Sequence, residues 1–385
     1  MSMTRRHLLR RTLGVVGLVV ALYAGYLGVT LILALGNPGY GVSMAARGAE
    51  WGRQHGLGGV VTWAETEWYR LNPPTTGGTP RPGSLGPSGP TSTLAPSPQH
   101  LASPTRIAVT NPLPGEGIWH PVGRPGPGGY PAIYQAFVRP DSVHTSYVVG
   151  LAWMDPTLLT ARLYSGSTIP GGGPYRYSAP IAVDLRNSLA AAFNAGFRMS
   201  DARGGYYTDG RTVIPLVNGA ASAVIYRNGV LTVGAWGRDV HMSPNVVAVR
   251  QNLDLLVDNG KSVSGLSRSD NIKWGATLGG SAYVWRSALG VTADGALIYA
   301  GGPALSIVDL ANVMVRAGAV RAMELDINPD WVQYSIFGGQ GAGVTGRKLL
   351  SSMNGDPSRY FASWWTRDFF TMSVRPTHLN WSASS

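Results

Sequence analysis

The sequence predicts an α+β fold: a single large mixed-sheet domain with many hairpins and few helices, preceded by one transmembrane helix and a Pro/Gly-rich linker. Three observations predict it. Asn-Gly and Asp-Gly pairs recur between apolar runs in the second half of the chain, and such pairs turn antiparallel strands. Only one segment there has the start, stripe and stop of a helix. A charge-free apolar run and a stretch dense in Pro, Gly, Ser and Thr come first.

Residues 1–12 form a basic cytoplasmic tail that includes Arg5, Arg6, Arg10 and Arg11. Residues 13–35 carry no charge and would span about 35 Å as a helix. The arginines before this run hold the N-terminus in the cytoplasm and send the rest of the chain out. Two other readings compete. Thr4 to Leu9 resembles a twin-arginine export signal, and Ser43-Met44-Ala45 offers small residues for cleavage. The length of the apolar run favours an uncleaved anchor. Residues 36–72 are membrane-proximal: Ser43 caps a short helix, and Trp63, Trp68 and Tyr69 suit a headgroup region. Residues 73–105 are too poor in apolar side chains to fold and read as a disordered, extended linker.

Residues 106–385 are the globular domain. Hairpins are expected at Asn228-Gly229, Asp294-Gly295 and around Asn259-Gly260, and residues 246–257 fit helix or strand. Ser306 and Asp309 have the form of a capping box, Leu310, Val313 and Met314 make a stripe, and Gly318 stops the helix. The run Gly338 to Gly346 reads as a surface loop that could act as a lid.

The 385 residues include 31 Lys+Arg, 20 Asp+Glu and no cysteine. Disulfides, thiolate catalysis and Cys-bound zinc are therefore excluded. The net charge of +11 is dispersed outside the N-terminal cluster, which argues against nucleic acid and for an acidic substrate or an anionic envelope.

The helix leads into VRAMELDINPDW, residues 320–331. Strand alternation places Glu324 and Asp326 on one face. Paired carboxylates are what acid–base or nucleophilic glycosyl chemistry needs, and burying them otherwise requires an arginine partner. Asn328, Asp330 and Trp331 follow in a shaped loop.

Several segments together resemble the phosphodiester glycosidase family. These are Ala192-Phe-Asn-Ala-Gly-Phe197, the strand-turn-strand at Tyr226 to Val230, the hairpin from Trp285 to Leu297, and the helix followed by Ala322-Met-Glu-Leu-Asp326. Their order and spacing fit over residues 189–331. The usual Leu-Asp-Gly-Gly-Gly-Ser ending is replaced here by Leu325-Asp-Ile-Asn-Pro-Asp-Trp331. The resemblance implies a glycoside hydrolase acting on a glycosyl phosphodiester or related anionic glycan, with a site changed at that loop. It gives Arg286 as an anion clamp; a salt bridge to Glu324 or Asp326 is the other reading, and the two are compatible in the unliganded state. It gives Asn194 as an orienting amide, or else a cap.

Glu324 and Asp326 would then divide the acid and nucleophile or base roles, with Asp201 or Asp209 as a substitute partner. Arg198 and Asp201, in a Gly-rich stretch with Tyr206 and Tyr207, and the lone His241 are further substrate-binding candidates. Histidine-zinc spacing is absent and no cofactor is expected, although Asp326, Asn328 and Asp330 could offer oxygens to a cation such as calcium. Trp364, Trp365, Phe369 and Phe370 read as core. The leading expectation is a membrane-anchored, extracytoplasmic hydrolase of a cell-envelope glycan. The alternative is a non-catalytic polysaccharide-binding or envelope-biogenesis protein on the same fold.

Overall fold

The computed structural model describes residues 3–86, 100–268, 272–275, 282–362 and 364–376. The chain divides into two compact units, Met1–Val61 and Thr62–Ser385.

The first unit is helical. α1 (Met3–Gly36) contains the expected apolar run, and Arg11–Gly36 is long and apolar enough to cross a membrane or serve as a signal sequence. Ser43 caps α2 (Met44–Gln54) by accepting from the Ala46 amide. Trp51 on α2 donates its indole N–H to Thr30 on α1, and Arg47 donates to the Leu35 carbonyl. α3 (Gly58–Leu71) begins here and continues into the second unit.

The second unit is sheet-rich, with ladders that are antiparallel between all named strands and two isolated parallel bridges. The largest sheet runs β1 (His120–Pro125), β2 (Pro131–Val138), β3 (Val149–Met154), β14 (Leu297–Leu305), β13 (Val284–Thr292), β15 (Ala319–Ile327), β11 (Leu255–Asp258), β12 (Lys261–Ser262). A second runs β7 (Arg211–Ile214), β6 (Tyr206–Thr208), β10 (Val246–Gln251), β8 (Ala221–Tyr226), β9 (Leu231–Ala235). The third runs β17 (Thr345–Lys348), β16 (Tyr334–Gly338), β5 (Leu189–Asn194), β18 (Phe369–Val374), β4 (Leu159–Tyr164). Two short helices, α4 (Val183–Arg186) and α5 (Met199–Ala202), flank β5.

One apolar core is shared by all three sheets. Leu289, Met323 and Leu325 of the first sheet pack there with Phe193 and Phe370 of the third and Ala223 and Val233 of the second. The opposite face of the first sheet is covered by α6 (Ile307–Arg316), which buries Ile307, Leu310, Val313 and Met314. Burial on both faces explains why β13, β14 and β15 read as near-continuous apolar runs. Ser306 caps α6 through the Asp309 amide, as expected.

The three predicted turns join β8 to β9, β13 to β14 and β11 to β12. At the first, Gly229 has φ 81°, and a Cβ there would collide with Thr160, so only glycine fits. Residues 246–257 resolve into β10 and β11. The run Gly338 to Gly346 is the connection of the β16–β17 hairpin rather than a free lid.

The described ends of the segment read as a linker lie on the domain. Thr145 donates to the Gly78 carbonyl, Leu85 is buried in the shared core, and the Leu101 amide donates to Asp155. The linker reading misses these contacts because single anchors such as Leu85 leave no periodic pattern. Its middle, 87–99, lies outside the described residues. Trp63 and Trp68 are exposed, whereas Tyr69 packs on the face that α6 covers.

Candidate functional site

The site is built on an irregularity in β15. Ile327 pairs with Arg286 and Glu324 pairs with Ala288, so three steps on β15 oppose two on β13. This is a β-bulge at Leu325 and Asp326, and a bulge breaks the alternation of faces. Glu324 and Ile327 therefore stay with Arg286 on the α6 side. Asp326 turns to the other side. Sequence alternation had put the two carboxylates together, and the structure corrects that expectation.

A bulge leaves backbone groups without ladder partners. Here side chains supply them. Asn252 Nδ2 donates to the carbonyls of Glu324 (2.8 Å) and Leu325 (3.2 Å). Ser287 Oγ donates to the Asp326 carbonyl at 2.7 Å. The Ile327 amide donates to the carboxylate of Asp326 itself at 2.9 Å.

On the α6 side, Arg286 Nη1 donates to Glu324 Oε1 at 2.6 Å, both side chains being fully buried. Arg286 also donates to the Leu305 and Trp274 carbonyls. The salt-bridge reading of Arg286 is thus the arrangement found. Tyr69 lies close enough to feel the charges of Arg286 and Asp330, and burial first of all pushes its phenol up.

On the other side, Asp326 faces a small, largely enclosed cavity. Asn194, Trp331, Arg359, Trp365, Arg367 and Asp368 help to line it. Arg367 Nη1 lies 3.6 Å from Asp326 Oδ2, and its guanidinium sits 4.5 Å over the Trp331 ring. Arg359 sits 3.6 Å over Trp365, and its Nε and Nη1 are buried with no hydrogen-bond partner. Burial lowers the Arg359 guanidinium to about 10. Asp368 is held by the fully buried Arg250, whose Nε approaches to 2.6 Å. Two arginines stacked on tryptophans beside two carboxylates form a charged, enclosed cavity of about 10 Å³, the room of a single water molecule.

Asn194 ties these parts together. Its Nδ2 donates to Ser287 Oγ, and its Oδ1 accepts from the Tyr299 hydroxyl and the Gln333 amide. One Nδ2 hydrogen is not used in these bonds. Asn194→Ala should strand Tyr299 and the Gln333 amide and cost about 1–3 kcal/mol in a denaturant titration. A cost near zero would show that the network does not hold the sheets together.

The remaining expected residues are elsewhere. Asn328, at φ 92°, shapes the turn by accepting from the Asp330 amide, and Asp330 is hydrogen-bonded by Asn354. Burial pushes the Asp330 carboxyl up. Each of Asp326, Asn328 and Asp330 thus has its own partner, and no group of three His, Cys, Asp or Glu is placed for a metal among the described residues. Arg198 and Asp201 lie at and within α5, Asp209 is exposed in a turn, and His241 is exposed in a loop. None of them lines the cavity. Trp365, Phe369 and Phe370 are buried, and Trp365 also walls the site.

Sequence reasoning missed Arg250, Asn252, Ser287, Arg359, Arg367 and Asp368. The signal for two of them is visible: Arg367 and Asp368 interrupt the aromatic run Trp364 to Phe370, where charge is costly to bury without a purpose.

Residues 187–326 match the family model described as phosphodiester glycosidase, a match that ends on Asp326 itself. The match covers the middle of the sheet-rich unit and is to the phosphodiester glycosidase family. No curated protein matches the chain. Among solved structures, the zebrafish N-acetylglucosamine-1-phosphodiester alpha-N-acetylglucosaminidase catalytic domain, auto-inhibited by its pro-peptide, is 14% identical. That comparison covers 66% of this chain and 87% of the zebrafish chain, with TM-score 0.42. A hypothetical protein from Synechocystis is 13% identical over 67% of this chain and 64% of its own, with TM-score 0.35. Arg359, Arg367, Trp331 and Trp365 lie beyond the matched residues.

Burial lifts the Glu324 carboxyl to about 7 and that of Asp326 to about 6. Opposite charge from Arg286 and Arg367 offsets this only in part. Both groups bind protons more tightly when folded than when unfolded. Their stabilising contribution is therefore full below about pH 4, the ordinary carboxyl range, and is lost as pH rises toward 7. In denaturant titrations, Glu324→Gln/Asp326→Asn should show a flatter stability curve than wild type from pH 4 to 7. A wild type that gains stability over the variant as pH rises would reverse the assignment.

Proposed function

We propose that this protein is a phosphodiester glycosidase, a membrane-anchored, extracytoplasmic hydrolase that releases a sugar from a phosphodiester-linked or otherwise anionic cell-envelope glycan. The observation that carries the reading is Asp326. Its carboxyl is raised to about 6 in an enclosed cavity, with the Arg367 guanidinium 3.6 Å away. A carboxyl poised near neutrality suits a general acid.

In this reading the cavity, too small for a sugar as it stands, widens on binding; Arg359 and Arg367 then hold the anionic oxygens, and the spare Asn194 amide hydrogen orients the substrate. Asp326 protonates the leaving oxygen. Asp368, ion-paired with Arg250, is the second carboxylate, taking the part that sequence alternation gave to Glu324. Arg286 and Glu324 brace the strand from its other face. The apolar run of α1, with arginines in the first turns of the same helix, anchors the chain with its N-terminus in the cytoplasm.

The test is incubation of the full chain, in detergent, with sugar 1-phosphodiesters and envelope glycan fractions, reading released sugar by mass spectrometry. Release that is lost in Arg367→Ala supports the hydrolase. Glycan retained without release from any fraction would replace it with the polysaccharide-binding reading.

A further inference from the structure

A second charged cleft lies on another part of the domain, with a volume of about 540 Å³. Arg124 near the end of β1, Arg162 on β4 and Arg375 just after β18 line it, together with Asn187, Ser188 and Gln340. It shares no lining residue with the Asp326 cavity, and no Asp or Glu lines it among the described residues.

The three guanidiniums are oriented but not neutralised. Arg124 Nε donates to the Leu189 carbonyl, while its Nη2 is buried with no hydrogen-bond partner. Arg375 donates Nε and Nη2 to the Pro156 carbonyl and Nη1 to the Asn228 carbonyl. Arg162 lies 5.0 Å over the Tyr177 ring. Asp155 acts on Arg375 from a distance, and Asp184 acts on the neighbouring Tyr164, but neither lines the cleft. Carbonyls and rings hold a guanidinium in place without cancelling its charge. Burial lowers the pKa of both Arg124 and Arg375, the cost of cations kept without counter-ions.

We propose that this cleft binds a phosphate group carried on a saccharide. Three arginines lining one cleft from separate parts of the chain suit a tetrahedral oxyanion better than a planar carboxylate, which one or two forks satisfy. The hydroxyl and amide side chains beside them suit sugar hydroxyls. The volume matches a ligand of monosaccharide size or somewhat larger. Among the described residues no aromatic ring lines the cleft, so charge rather than stacking is the recognition element.

The probe is glucose 1-phosphate, titrated calorimetrically into the full chain in zwitterionic detergent, with glucose as the neutral control. Saturable binding should weaken roughly tenfold or more in Arg124→Gln/Arg162→Gln and should survive Arg367→Gln. Glucose should not bind. Unchanged affinity in the double variant overturns the proposal, and loss in Arg367→Gln alone moves the ligand to the Asp326 cavity. Phosphatidylglycerol vesicles that capture the wild type but not the double variant, without glucose 1-phosphate binding, would make the cleft a membrane contact instead. If the double variant fails to fold, Arg162→Gln alone decides, since Arg162 is half-buried and lies over a ring rather than in an ion pair among the described residues.

Discussion

Asp326→Asn should abolish turnover, by roughly 10² to 10⁴-fold in kcat, while leaving glycan affinity within a few fold of wild type. Asn keeps the size of the side chain and an oxygen for the Ile327 amide, so the bulge survives. It also relieves the desolvation of a buried carboxyl. Stability near neutral pH should therefore hold or rise, because the wild-type group charges at a cost above about pH 6. The pH dependence of kcat/KM sharpens the test. A general acid must be protonated, so activity should fall on the alkaline side of about 6, and that limb should shift when Arg367 is replaced. Removing the nearby cation pushes the Asp326 carboxyl further up. A variant that keeps full turnover, or an alkaline limb unmoved by Arg367→Gln, would remove Asp326 from the chemistry.

The second large effect concerns folding. Arg250 and Asp368 are both fully buried, and Arg250 also donates to the Gln251 and Phe197 carbonyls. Arg250→Met would leave the buried Asp368 carboxylate without its ion-pair partner and two carbonyls without their donor. Breaking such a pair from one side costs about 3–5 kcal/mol. That is a large share of the stability of a typical domain. The double replacement Arg250→Met/Asp368→Leu removes both charges and should recover much of the loss. A single-variant cost below about 1 kcal/mol in urea titrations would mean that the pair is not desolvated as described.

The parts of this protein that depend on local sequence were legible in it. The α6 cap at Ser306, the three glycine turns and the apolar run of α1 each follow from a few neighbouring residues. The family resemblance also singled out Asn194 and Asp326, and both line the cavity. Tertiary structure decided the faces and the partners. Alternation predicts that Glu324 and Asp326 share a face, and it fails because the bulge adds a residue that only the pairing with β13 reveals. The bulge persists because Asn252 and Ser287, distant in sequence, satisfy its carbonyls. The cations came from residues 359 and 367, beyond the resembling segments; Arg367, just before β18, meets Asp326 where β18 pairs with β5, and Arg359 lines the same cavity. Sequence fixes what each residue can do within its own turn or strand. Which charge meets which carboxylate is set by long-range pairing, and no local pattern encodes it.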